Sequence, residues 1–131
     1  MMQSAKVSSA KVTILGGGPV GLAAALSLGA MLGRDGVRIV EAGVLPEYSP
    51  ADAPPDLRVY ALSPATRRLL ESLQVWSRLR TARIAPVTAM EVRGDRAEGI
   101  LDLGLREPLA WIVEHRELTS ALASRVREED I

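Results

Sequence analysis

The chain has 131 residues, enough for one domain with a sizeable core, and its 16 lysines plus arginines balance 16 aspartates plus glutamates. A net charge of zero gives no drive toward nucleic acid or an anionic membrane, and neither a nucleic-acid partner nor a transmembrane segment is expected. With no cysteine and one histidine, disulfides, thiolate nucleophiles and cysteine- or histidine-rich metal sites are excluded, and no metal is expected.

Residues 1–10 are polar and small and read as a disordered lead-in. Val12 to Leu15 form a short apolar run, as in a strand buried in a parallel sheet. The turn that follows reads Gly16-Gly17-Gly18-Pro19-Val20-Gly21. Gly16 allows a sharp turn out of the strand, Gly18 leaves room for a pyrophosphate, and Gly21 lets the next helix lie close. Pro19 suits a helix start, and the helix runs through Leu22–Leu26, Leu28 and Ala30–Leu32 until Gly33 or Gly36 ends it. Val37 to Val40 form a second strand closed by Glu41, twenty residues past Gly21. A glycine turn between a strand and a helix, followed at that distance by an acid, is the pattern that cradles the ADP half of a dinucleotide. The acid, with no basic neighbour, disfavours a 2′-phosphate and so NADP as the ligand held here. The uncharged run from Val12 to Gly33 also has the outline of a targeting or spanning segment. Its four glycines and proline within ten residues, and its short helix, argue against that.

Ala42 to Leu57 carries four prolines and reads as a mobile surface loop. Arg58 to Leu62 is extended. Ser63 caps a helix begun by Pro64, with Ala65, Leu69, Leu70 and Leu73 expected inward, and Trp76 and Leu79 continuing that side. From Ile84 the period becomes two. Met90 and Val92 alternate with Glu91 and Arg93, Gly94-Asp95 begins a turn, and Ile100, Leu101 and Leu103 return as a second strand. Trp111 to Val113 is a further strand, and Glu117 to Val126 a helix with Leu118, Ala121, Leu122 and Val126 on one face. Trp76 and Trp111 are expected in the core.

In order and spacing, Thr13–Leu22, Glu41, Arg58–Ser63, Leu69–Leu73 with Trp76, Pro86–Val92 and Ile112–Arg116 resemble the N-terminal portion of the flavin-dependent aromatic hydroxylases, in particular the ubiquinone-biosynthesis hydroxylases of the UbiH-like group. The resemblance implies an α/β fold: a Rossmann-like βαβ FAD-binding unit with a parallel sheet, plus a partial antiparallel β hairpin (about 84–110) from a substrate-side domain, all within 11–131. It implies FAD as cofactor, NAD(P)H as co-substrate, and a small aromatic substrate, a ubiquinone precursor hydroxylated with O2. The implied cofactor contacts are Gly16, Gly17, Gly18, Pro19, Val20, Gly21, Glu41 and Ala42 on the ADP side, with Arg58, Glu114 and His115 toward the flavin. The plainer reading of Arg58 is a surface arginine at a loop end. His115 stands where the family commonly has asparagine or arginine, and no catalytic residue is assigned. Later flavin-binding segments of the family, an Asp-Gly turn and a Gly-Asp-Ala motif, have no counterpart here. The chain therefore reads as an N-terminal fragment inactive alone, pairing with a complementary C-terminal fragment or other ubiquinone-biosynthesis proteins. The expected location is the cytoplasm or the periphery of the inner membrane. The alternative is a non-catalytic adenine-dinucleotide-binding or interaction module.

Overall fold

The computed structural model describes residues 10–95, 100–104 and 107–131. The lead-in expected at 1–10 lies, but for Ala10, outside them. The elements in order are β1 (Val12–Leu15), α1 (Pro19–Leu32), β2 (Val37–Val40), β3 (Val59–Leu62), α2 (Pro64–Ser72), β4 (Ile84–Val87), β5 (Ala89–Arg93), β6 (Ile100–Gly104), β7 (Ala110–Glu114) and α3 (His115–Glu129). They fall into two compact units. One is the chain up to Tyr48 together with Thr119–Ile131, the other Ser49–Leu118, so the first turn of α3 belongs to the second unit and the rest to the first.

In the first unit β1 and β2 pair in parallel, Val12 beside Val37 through Leu15 beside Val40. The link between them is α1, and parallel neighbours require such a crossover because the chain must return to the same end. One sheet face packs on α1, where Leu22, Ala25 and Leu26 are buried with Val37. Gly33, with φ +77, ends α1 by donating its N–H to the Gly29 carbonyl. The α3 residues of this unit bury Ala121, Leu122, Ala123 and Val126.

In the second unit β7 lies between β3 and β4 and is antiparallel to both. Its alternate residues Trp111 and Val113 are buried with Leu62, Leu70, Val75 and Leu79. Ser63 caps α2 as expected, its Oγ accepting the Thr66 N–H at 3.2 Å. The expected inner face of α2 is narrower than its sequence suggests: Leu70 is buried, but Ala65 and Leu69 are exposed. The nine-residue helix stops at Leu73, Gln74 turns left-handed at φ +58, and Val75 takes the next core position by donating to the Leu70 carbonyl. β5 and β6 form a separate antiparallel hairpin.

The expected Rossmann-like parallel sheet is corrected by this topology. Parallel pairing ends at β1 and β2, and the largest sheet, β3–β7–β4, is antiparallel. The described residues form a mixed α/β fold of three helices and three small sheets. The physical cause lies in the connections. Only one strand-to-strand link is a helical crossover to a parallel neighbour, and the later links return β7 against β3 and β4 in the opposite sense.

The proline-rich loop after Glu41, expected to be mobile, is tied down by arginines. In the first unit Arg127 donates to the Leu45 carbonyl at 2.6 Å, and the Ser120 hydroxyl to that of Glu47 at 2.9 Å. In the second, Arg80 donates to the Ser49 carbonyl at 2.8 Å, and Arg83 to those of Ala51 and Ala53 at 3.1 and 2.6 Å. Loop carbonyls without a ladder partner need donors, and a guanidinium supplies up to five. Among the described residues no helix is long and apolar enough to cross a membrane.

Candidate functional site

The glycine turn and the acid after β2 come together in the first unit. Gly16 sits at φ +106, a conformation open to glycine, and donates its N–H to the Val40 carbonyl at 2.8 Å. A Cβ on Gly21 would lie 2.1 Å from the Gly16 carbonyl oxygen, so only glycine lets α1 approach the turn this closely. Glu41 accepts the Gly17 N–H on one carboxylate oxygen and the Gly43 N–H, at 3.0 Å, on the other. Those bonds, that of Gly17 foremost and with Ala42 also contributing, hold its carboxyl below the usual glutamate range. The carboxylate is thus ionised and aimed by the backbone, with lone pairs remaining for a ligand hydroxyl.

Gly18 is different. Its φ of −77 and ψ of 177 suit any residue, and nothing lies within 4 Å of where a Cβ would stand. Neither backbone strain nor packing among the described residues calls for glycine there. Gly18 is also the N-cap of α1, yet no side chain caps the helix, no acid lies in its first turn, and Pro19 takes its first position. The leading N–H groups and the positive end of the helix dipole are therefore available to an anion. Val20 and Ala42, the remaining expected contacts on this side, are exposed beside the turn.

Arg58, Glu114 and His115 come together in the second unit. Arg58 is exposed, with its guanidinium 5.4 Å from the centre of the Tyr60 ring, and its carbonyl accepts the His115 N–H at 2.8 Å. His115 Nδ1 lies 2.9 Å from the Tyr60 hydroxyl. Glu114 accepts from Arg83 Nη1 at 3.0 Å and from the Asp56 N–H at 2.9 Å. Burial raises its pKa, but those two partners outweigh burial and leave it lowered. Asp56 accepts the Arg58 N–H at 3.1 Å and the Arg116 N–H at 3.1 Å, so it caps α3 from a distant segment. Its carboxyl is also lowered, first by the Arg58 N–H.

No motif in the sequence marks Asp56, Tyr60, Arg80, Arg83 or Glu117 as part of a site. Glu117 is buried and accepts from the backbone N–H of Arg80 at 2.7 Å and from its Nε at 2.8 Å. A signal was present: two arginines three apart, Arg80 and Arg83, and two glutamates three apart, Glu114 and Glu117. Their pairing spans 31 and 37 residues, and no local spacing reveals it. As expected, Trp111 is buried. Trp76 meets it edge-on at 5.6 Å, and Arg67 lies over both rings at 4.9 and 4.6 Å. Among the described residues no group of acids and histidine could hold a metal.

No family model matches the chain. It is 34% identical over 115 residues, 86% of its own length, to the 3-demethoxyubiquinol 3-hydroxylase of Escherichia coli (strain K12). The match spans 29% of that enzyme. Among solved structures it is similar to a peptidyl tryptophan dihydroxylase essential for tryptophylquinone cofactor biogenesis. The TM-score is 0.54 and the identity 20%, over 91% of this chain and 23% of the other, and this likeness concerns the fold alone. Both relatives are hydroxylases by name. The expected membership of the UbiH-like group is corrected here, because the curated relative has a different named activity and the solved one differs again. The quoted segments supply strands, turns and helix caps, and such positions do not separate one hydroxylase from another.

Proposed function

We propose that this chain holds the ADP portion of FAD at the turn between β1 and α1, and that it does so as part of a hydroxylase acting on a ubiquinone precursor. Gly18 carries the binding claim, as a glycine that its own chain does not require, set at an uncapped helix start beside an ionised Glu41. A pyrophosphate would take the leading N–H groups of α1, and Glu41 would accept from ribose hydroxyls. Bound FAD would supply the activation of O2 with electrons from NAD(P)H, so that an aromatic C–H becomes C–OH while the second oxygen leaves as water. The chain's own part is to bind and orient. In the second unit the exposed guanidinium of Arg58, steadied over Tyr60, is suited to a phosphate or an anionic ring. The hydroxylase reading is supported by the curated relative. Since the chain spans 29% of the curated one, ring hydroxylation is proposed for a protein of that full length, assembled in one chain or from complementary chains.

Titrating the purified chain with FAD, and with ADP as the minimal probe, tests the binding claim. Both should raise the thermal midpoint, by about 1.4 kcal/mol of stabilisation at tenfold the Kd. Adding the missing length should confer NAD(P)H-dependent O2 uptake with a quinol precursor. A chain that neither FAD nor ADP stabilises at millimolar concentration would overturn the claim.

A further inference from the structure

We propose that the β5–β6 hairpin is a self-association surface, on which a second copy of this chain adds its own β5 antiparallel to the first. The hairpin pairs only with itself among the described residues, leaving the outer edge of each strand open. Its register sets Met90 opposite Leu103 and Val92 opposite Leu101. Directly opposed residues share a face, so these four apolar side chains line one side of the hairpin, while Glu91, Arg93 and Asp102 line the other together with Ala89 and Ile100. Met90 and Val92 are 47% and 46% exposed, Leu101 and Leu103 55% and 40%, so nothing among the described residues covers that side. An open edge beside an exposed apolar face is a template for another strand.

The charges on β5 select a second copy as the occupant. Two β5 strands related by a two-fold axis at Val92 set Val92 opposite Val92 and Glu91 opposite the other copy's Arg93, twice. Within one chain Glu91 and Arg93 already form an ion pair. On pairing they exchange partners across the strands and keep their charges matched. This register also keeps the apolar residues of both copies on one side of a four-stranded sheet, whereas a slip of one residue turns one copy's charged face onto the other's apolar face. β6 carries one charge, Asp102, and no register of β6 on itself sets it opposite a cation, which leaves β5 as the joining strand.

Sedimentation and light scattering across a concentration series should show a species of twice 14.0 kDa that dissociates on dilution. Glu91→Arg or Arg93→Glu alone should weaken the dimer about tenfold, because each opposes like charges twice, and the double exchange should restore it. Because the chain has no cysteine, Val92→Cys should form a disulfide-linked dimer on oxidation, while Met90→Cys, set opposite Gly94, should not. Circular dichroism of each variant separates lost pairing from lost folding. A chain that stays monomeric throughout would overturn the proposal. So would a dimer indifferent to Glu91→Arg, or one that cross-links through Met90→Cys as readily as through Val92→Cys. FAD binding uses other residues and is measured separately, so either claim can fail without the other.

Discussion

Gly18 and Gly21 stand three residues apart and are glycine for opposite reasons. At Gly21 a Cβ would meet the Gly16 carbonyl oxygen at 2.1 Å, so Gly21→Ala should force β1 and α1 apart. We expect a loss of about 3 kcal/mol, measured by urea unfolding, with no dependence on ligand. At Gly18 the space is open and the position is a helix N-cap, where serine is favoured over glycine by a few tenths of a kcal/mol. Gly18→Ser should therefore leave the thermal midpoint unchanged or slightly higher while weakening FAD roughly tenfold, since its hydroxyl would take N–H groups that a phosphate needs. A Gly18→Ser protein that bound FAD as tightly as the parent would sink the role given to this glycine. Both glycines were legible in the sequence as a fingerprint. Their different physical duties were not, because spacing does not show what a missing side chain would touch.

At the scale of elements, the junction of β7 and α3 is held by two carboxylates from different segments. Asp56 caps the start of α3, and Glu114 at the end of β7 holds Arg83 and the Asp56 N–H. Both pKa values are lowered in the folded chain, from 3.8 for Asp56 and 4.5 for Glu114. A lowered carboxyl contributes stability that is fully present above its unfolded value and is lost as pH falls through its folded one. Urea midpoints should accordingly be flat from neutrality down to about pH 5 and fall below about pH 4.5. Glu114→Gln should be less stable at pH 7 and show a shallower acid limb. An unchanged limb in that variant would remove Glu114 from the account. The sequence showed β7 as the short apolar run Trp111 to Val113 and α3 through a 3.6-residue period. Their shared cap escaped it, because Asp56 reaches Arg116 across 60 residues.

Across the whole molecule, the arginines organise what the prolines leave without partners. Arg80 joins the buried carboxylate of Glu117 to the Ser49 carbonyl, and Arg83 joins Glu114 to those of Ala51 and Ala53. Removing one partner of a buried ion pair leaves an uncompensated charge, so Arg80→Ala should cost about 3–5 kcal/mol by urea unfolding. A loss under about 1 kcal/mol, the level of a surface pair, would contradict that burial. Hydrogen exchange should rank the elements in the same sense. In the chain diluted to the monomer, the amides of α3 from Leu118 to Val126, with most side chains buried, should exchange slowest, and those of β5 and β6, all exposed, fastest. Equal protection in α3 and the hairpin would be incompatible with this structure.

The sequence by itself determined the local order of this protein: the glycine turn, the acid after the second strand, the Ser63 cap and the apolar face of the last helix. These depend on neighbours within a few residues, where backbone sterics, capping and periodicity act. Tertiary structure alone decided that the largest sheet is antiparallel, that Glu41 is aimed by Gly17 and Gly43, and that distant arginines pin the proline loop. Strand direction and buried ion pairs join residues tens of positions apart, and the free energy that selects them arises only when those segments leave water together.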